Sequence, residues 1–412
     1  MEKTEKGIYV TYVGTSKVAF LKARKKDPNV FEVCALSARL SHGFEEGIVK
    51  DLQIASQTLG EAIDEVVGSR ERMMIPSRVV VSNAYLKTYT YQSSVYFHGN
   101  PHPISLRDVR AAIAQTRSIA TIPLQEAIVQ AVPQEFLVND LAGVQNPLGL
   151  EASRLGVTIR LLTMDYLAYS NLMKVFERCD IEVLDVIPSV LATASASLSL
   201  EEKQSGVILC IIGSKVTHLA CYKNSVLIDT SSIPTGADCI TEALGKNLNV
   251  DYLDAQRLKE SFGSAAPKGE FQEELIPIPD KNGKKKYTIS RSDFEKHMKS
   301  GLSVFFGQIE DGVKHLQERY LPCRQVVFSG GGARLDSFLD VMKETISPLC
   351  RIGLAQNVVG PSTLVSDPSF APLLGSLSFT NKVTEESLLP AERQGWMSRS
   401  IEAARNWIFE YL

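Results

Sequence analysis

The chain has 412 residues, 44% of them hydrophobic, and a formal net charge of −3. Such a length suggests about two to four domains with sizeable cores, and the near-neutral charge gives no electrostatic reason to expect nucleic acid as a partner. Seven cysteines (34, 179, 210, 221, 239, 323 and 350) lack CxxC spacing and read as buried thiols of a reducing compartment, not as a disulfide frame or metal site. The start, MEKTEKGIYV, lacks the apolar core of a signal peptide, and no stretch approaches the ~18 apolar residues of a membrane span. A cytoplasmic chain is expected.

In chain order, Ile8 to Val13 reads as a strand, Gly14-Thr15-Ser16-Lys17 as its turn, and Val18 to Lys22 as the returning strand, with a third strand from Phe31 to Ser37. Leu52 to Val67 has helical spacing, with Leu52, Ala55, Leu59, Ile63 and Val66 on one stripe, and Arg78 to Ser82 is a buried strand. From Ala84 to about Thr163 the texture changes. Strands around Tyr85 to Phe97, a HGNPHP loop, a helix from Ser105 to Ala114 and a strand from Val129 to Val138 read as a small α/β module inserted into the first domain. Its PQEF and NPLG segments imply no chemistry by themselves. A helix (Tyr166 to Cys179), a strand (Glu182 to Ile187) and a helix rich in Ala and Ser (Ser189 to Leu198) follow, the last small enough for close packing.

Gly206 to Thr241 is the centre of the chain. Val207 to Ile212 is an apolar strand broken by Gly213-Ser214-Lys215; Thr217 to Tyr222 and Val226 to Ile233 follow, and Pro234 to Asp238 leads into a helix from Cys239 to Leu248. Backbone amides at such a hairpin and at the helix start suit a phosphate; a buried hairpin without a ligand uses the same residue types. The hairpin at Gly14 (VTYVGTSKVAF) and this one (LCIIGSKVTHL) share an apolar strand, a Gly, a small hydroxyl residue and a Lys-Val pair, which suggests two related domains facing one cleft. A helix (Tyr252 to Phe262) precedes a polar segment, 263–287, whose KNGKKK run reads as a solvated hairpin tip. Ser290 to Asp293 caps a long helix to Tyr320, and Gln325 to Ser329 is a strand that exits through Gly330-Gly331-Gly332-Ala333 into a helix from Asp336 to Ile346. Strand–GGG–helix lets a backbone approach a ligand closely.

With these three loops in place, the sequence resembles the actin, sugar-kinase and heat-shock superfamily, and within it the bacterial FtsA cell-division family. The resemblance covers nearly the whole length: VGTSKV near the start, GFEEGIVKDLQIA at 43–55, VPQEFLVNDLAGVQNPLGLEASRL at 132–155 in the inserted module, ERCDIEVLDV at 177–186, SIPTGADCITEAL at 232–244, AQRLKESFG at 255–263 and SGGGARL at 329–335. It implies an actin-like two-domain α/β fold, with duplicated ribonuclease-H-like domains around a cleft and an inserted small α/β subdomain. The implied division is a first domain at 1–83, 165–195 and 346–380, the insert at 84–164, and a second domain at 196–345 with a subdomain at 246–310. A linker at 381–395 and an amphipathic membrane-targeting helix at 396–412 complete it.

By the same resemblance, nucleotide-contacting positions are Gly14, Thr15, Ser16 and Lys17 on the first hairpin, Gly213, Ser214 and Lys215 on the second, Gly236, Lys259, and Gly330, Gly331 and Gly332. The departures fall on the chemistry. Tyr12 stands where the family carries an Asp, Ile211 and His218 replace the two Asp of the second hairpin, Ser189-Val190 replaces a Glu-Pro pair, Ala237 a Gly, and Gln256 a Glu. Mg²⁺ wants hard carboxylate oxygens and the attacking water needs a positioning acceptor. The expectation is therefore no ATP hydrolysis, no catalytic residue, and at best weak, metal-independent binding of ATP. Lys17 and Lys215 would either face phosphates in place of a metal or face solvent; His218 reads as a packed strand histidine.

At the far end, GWMSRSIEAARNWIFEYL carries Met397, Ile401, Ala404, Ile408 and Tyr411 on a helical stripe widened by Trp396, Trp407 and Leu412, and holds both tryptophans of the chain. Trp396, Met397, Ile401, Trp407, Ile408 and Leu412 are the membrane-binding candidates; the other use of such a helix is docking on its own domain. The implied role is an adaptor of the division ring, peripheral on the inner face of the membrane. It would bind the C-terminal tail of FtsZ, its own copies and later division proteins. Two rivals share the fold: a PilM-like scaffold of another envelope machine, and an ATP-dependent phosphotransferase.

Overall fold

A computed structural model describes residues 7–68, 74–266, 274–279, 285–320 and 324–380. The six membrane-binding candidates, the expected linker, Cys323 and most of the KNGKKK run lie outside the described residues.

The first strand, β1 (Ile8–Val13), returns as β2 (Lys17–Asp27) and β3 (Val30–Leu40), and α1 (Leu52–Val67) begins where the Asp51 side chain accepts from the Ile54 amide. Its buried stripe is Ala55, Leu59, Ala62 and Ile63. β4 (Ile75–Val81) then pairs parallel to β1. The insert is built from β5 (Lys87–Tyr96), α2 (Leu106–Ile119), β6 (Glu126–Val138) and β7 (Arg154–Asp165), with β7 central between β5 and β6 and a core of its own around Phe136, Leu155, Val157, Ile159 and Leu161. The helix α2 runs on to Ile119, beyond the expected Ala114, with a capping box between Ser105 and Asp108. Next come α3 (Tyr166–Arg178), β8 (Ile181–Pro188) and α4 (Ser189–Ser197).

The second half repeats the plan. β9 (Val207–Ile212), β10 (Thr217–Lys223) and β11 (Val226–Ile233) form the antiparallel part, followed by α5 (Asp238–Leu248) and α6 (Tyr252–Phe262). A two-stranded ribbon (Leu275–Pro279 with Lys285–Ser290), the long α7 (Arg291–Arg319), β12 (Gln325–Ser329), α8 (Phe338–Thr345) and, after two short strands, α9 (Ala371–Ser378) complete the chain. In the first sheet β3-β2-β1 are antiparallel and β4 and β8 follow in parallel. In the second, β11-β10-β9 are antiparallel and β12 and Arg351–Ile352 follow in parallel. The hairpin likeness in the sequence thus reflects a strand-for-strand duplication of an actin-like fold. Because Arg351–Ile352 still pairs in the second sheet and Val358–Val359 pairs with β3, the chain crosses back after Gly353, later than residue 346.

Alternation along the second sheet divides its side chains between two cores. Leu209, Ile211, Ala220 and Val327 join the first domain's core, while Ile208, Cys210, Ile212, Val326 and Phe328 join the second's. The helices α4 and α9 cross at the seam, where a Cβ on Gly375 would meet the Ala192 carbonyl oxygen at 1.9 Å, so only glycine allows the approach. No helix among the described residues is long and apolar enough to cross a membrane. Of the six described cysteines, Cys34 is exposed and Cys239 half-buried, contrary to a uniformly buried set.

Candidate functional site at the interdomain cleft

The turn of the first hairpin is pinned from the 41–46 segment. The Ser41 hydroxyl donates to the Gly14 carbonyl (2.7 Å), the Ser41 amide to the Ser16 carbonyl (3.1 Å), and the Glu46 amide to Thr15 Oγ1 (3.0 Å). The Tyr12 ring folds over Gly14, where a Cβ would come within 2.6 Å of the Tyr12 hydroxyl oxygen. Burial pushes the Tyr12 phenol up to about 12, with the neighbouring Ser82 opposing the shift.

Ser82 follows β4, and its Oγ lies 3.0 Å from His218 Nε2; His218 Nδ1 in turn lies 2.9 Å from Ser232 Oγ. His218 is only 2% exposed, and burial pushes its imidazole down to about 4. A neutral ring donates from one nitrogen and accepts at the other, and the two serines satisfy both. Ser82–His218–Ser232 is therefore one hydrogen-bonded chain from the first domain to the second, with Tyr12 beside its Ser82 end. His218 is packed, as its strand position suggests, but packed across the cleft.

On the second hairpin the Gly213 and Ser214 carbonyls accept from the amides of Ala237 (3.0 Å) and Asp238 (2.8 Å), and the Cys239 amide bonds to the Gly236 carbonyl (3.3 Å). The helix-start amides expected to suit a phosphate are thus already paired within the protein. Gly236 is required there, since a Cβ would stand 2.3 Å from the Ser214 carbonyl oxygen. The GGG turn seals the end of β9. Gly330, at φ +86°, would place a Cβ 2.4 Å from the Ile212 carbonyl oxygen, a Cβ on Gly332 would meet Ile212 Cγ2 at 2.2 Å, and Gly331 has room, its nearest neighbour being Ser369 at 3.8 Å.

Lys17 and Lys215, expected to face phosphate or solvent, each turn to a protein partner, and so does Lys259. Lys17 donates to Ser369 Oγ (2.8 Å) over the Phe370 ring; burial pushes it down to about 7, with Asp367 opposing and Arg334 reinforcing the shift. Lys215 reaches across the cleft to Glu45, whose carboxylate the Lys215 hydrogen bond holds below its usual value. Lys259 donates to the Ala237 carbonyl (3.1 Å) and Thr241 Oγ1 (2.7 Å), its pKa lowered by burial. Ser189, in place of the family's Glu, is 1% exposed with its hydroxyl unpartnered, and Ile211 is packed in the first core. Sequence reasoning missed Ser82, Ser232 and Glu45, which carry no local signal. It also missed Asp229 of β11, which receives the Tyr320 hydroxyl (2.9 Å) and pairs with Arg160 of the insert (3.7 Å) and Arg319 (3.5 Å).

Comparison with known proteins fits this architecture. The family profile described as "Cell division protein FtsA" matches residues 209–375, and that of the "SHS2 domain inserted in FTSA" matches 83–163. The FtsA of Neisseria meningitidis is 25% identical over 399 residues, covering 96% of this chain and 94% of that protein, and the FtsA of Pseudomonas aeruginosa is 23% identical, covering 89% and 87%. Among solved structures, a PilM–PilN type IV pilus biogenesis complex has a TM-score of 0.63 at 14% identity, covering 92% of this chain and 100% of that one. MreB5 of Spiroplasma citri bound to AMPPNP has 0.53 at 14%, covering 97% and 99%. These structural likenesses establish the actin fold. With the two profiles together spanning well over half of the sequence, and relatives of one name aligned along almost all of it, the chain belongs to the FtsA family of cell-division proteins.

Proposed function

We propose that this chain is a membrane-tethered adaptor of the division ring that works without hydrolysing ATP. The observation that carries the second half is the Ser82–His218–Ser232 chain in the cleft with Tyr12 beside it, Tyr12 and His218 standing where the family pattern has carboxylates. A magnesium nucleotide needs one or two carboxylates beside the phosphates, and hydrolysis needs an acceptor to orient water. Here both His218 nitrogens are engaged by serines, Glu45 is committed to Lys215, and Asp238 stands beside Lys259. These residues do not fit Mg²⁺-ATP. Any ATP bound would be held weakly and without metal.

Family membership supports the adaptor half. The second domain would take the FtsZ C-terminal tail, the insert would take later division proteins, and copies would associate as an actin-like polymer or oligomer. Residues 396–412 would lie on the inner face of the membrane, each helix holding reversibly and a polymer holding firmly through avidity. Two measurements test this. Tagged protein should form a midcell ring that is lost on deleting 396–412; polar or diffuse signal in the full chain would overturn the adaptor. Calorimetry with ATP should give weak or no binding, unchanged by Mg²⁺; tight, Mg²⁺-dependent binding would overturn the nucleotide-blind reading.

A further inference from the structure

We propose that the cleft is a built-in clasp: the Ser82–His218–Ser232 chain, with the Lys215–Glu45 pair beside it, holds the two domains in one fixed closure that nucleotide does not set. This rests on the reading that the cleft does not fit a magnesium nucleotide, and goes beyond it. A cleft that had merely lost its ligand would leave its polar groups to water. In this one Ser82 is bonded to His218 and Glu45 to Lys215 across the domains.

Four features carry the inference. Tyr12 and Ser82 belong to the first domain, on or next to neighbouring strands β1 and β4, while His218 and Ser232 face each other on neighbouring strands β10 and β11 of the second. Ser82 Oγ lies 3.0 Å from His218 Nε2 across the cleft, and His218 is 2% exposed, so separating the domains there breaks a hydrogen bond and uncovers a packed imidazole. The Lys215–Glu45 pair lies at the same cleft on half-exposed side chains; an exposed pair contributes little strength, so it sets alignment while the buried chain holds. Finally, the hairpin carbonyls and the α5 amides that could turn toward a ligand are bonded to each other, so the second half of the clasp is rigid before the first half meets it.

The test reads interdomain distance in the full chain, with a fluorophore pair on unnatural amino acids at Gln53 of α1 and Lys246 of α5, both exposed. The wild-type chain should give one narrow distance distribution, the same with ATP, with Mg²⁺-ATP, or with neither. The double variant Ser82→Ala/Lys215→Ala should broaden that distribution about twofold toward longer distances, while Ser82→Thr/Lys215→Arg, which keeps hydroxyl and cation, should remain narrow. Circular dichroism checks that all three chains fold. A wild-type distribution that narrows or shifts with Mg²⁺-ATP would overturn the clasp, and so would a folded double variant as narrow as the wild type. The second result, alongside calorimetry that finds no Mg²⁺-dependent binding, would sink the clasp and leave the proposed function standing.

Discussion

Lys17 Nζ stands 3.5 Å from the centroid of the Phe370 ring, inside the fold and not out in the cleft. Burial pushes this amine down to about 7, whereas the unfolded chain holds its proton to about 10.5. Between those values the unfolded state binds more protons, so stability rises with pH across that window, and the cost of the buried charge is fully present below pH 7. Lys17→Met should remove that rise, about 2 kcal/mol after allowing for the partly open edge of the site, in chemical denaturation at pH 6 and pH 9.5.

His218 acts in the same direction in a more acidic window. Its imidazole is held down to about 4, against ~6.5 when unfolded, so the unfolded state takes the proton first as pH falls. Stability should drop by about 2–3 kcal/mol between pH 6.5 and 4 through this residue. In His218→Gln the same acid titration should be flatter over that range.

Two glycines should respond in opposite directions to alanine. Gly236 has the Ser214 and Gly213 carbonyl oxygens 2.3 and 2.5 Å from where a Cβ would sit, and Gly236→Ala should cost about 2–3 kcal/mol by forcing the second hairpin off the start of α5. Gly307, inside α7, has nothing within 4 Å, and Gly307→Ala should gain about 0.5–1 kcal/mol of helix stability. Denaturant titration of the two variants distinguishes the outcomes.

Asp229 gathers the insert and the second domain on one carboxylate. Asp229→Ala leaves Arg160 (18% exposed at its side chain) and the Tyr320 hydroxyl without that partner and should cost about 2 kcal/mol, with faster amide exchange in β7. Arg319→Ala, 61% exposed at its side chain, should stay within about 0.5 kcal/mol.

The fold was legible because its signals are local and periodic. Val207–Ile212 reads as a buried strand because every residue is apolar, and the likeness of the two Gly-Lys-Val turns foretold a duplication that the strand orders express. The division point near residue 346 was misplaced because Arg351–Ile352 is two residues long, too short to leave a pattern. At the site, Gly213, Gly236 and Gly330 mark turns where a Cβ would meet a backbone oxygen at 2.7, 2.3 and 2.4 Å, the kind of close approach that a glycine in a sequence signals. The lysines could not be read: Lys17 turns inward to Ser369, 352 residues away, and Lys215 turns to Glu45, 170 away. Nothing beside Lys17 or Lys215 in the sequence records the partner.

The division of the second sheet between two cores bears on how the molecule comes apart. One sheet serves as a common wall, with Leu209 and Val327 facing one room and Ile208 and Phe328 the other. Exposing either room strips apolar surface from the same strands, so the two lobes should melt in a single cooperative transition, and neither half of the chain severed from the other would keep its shape.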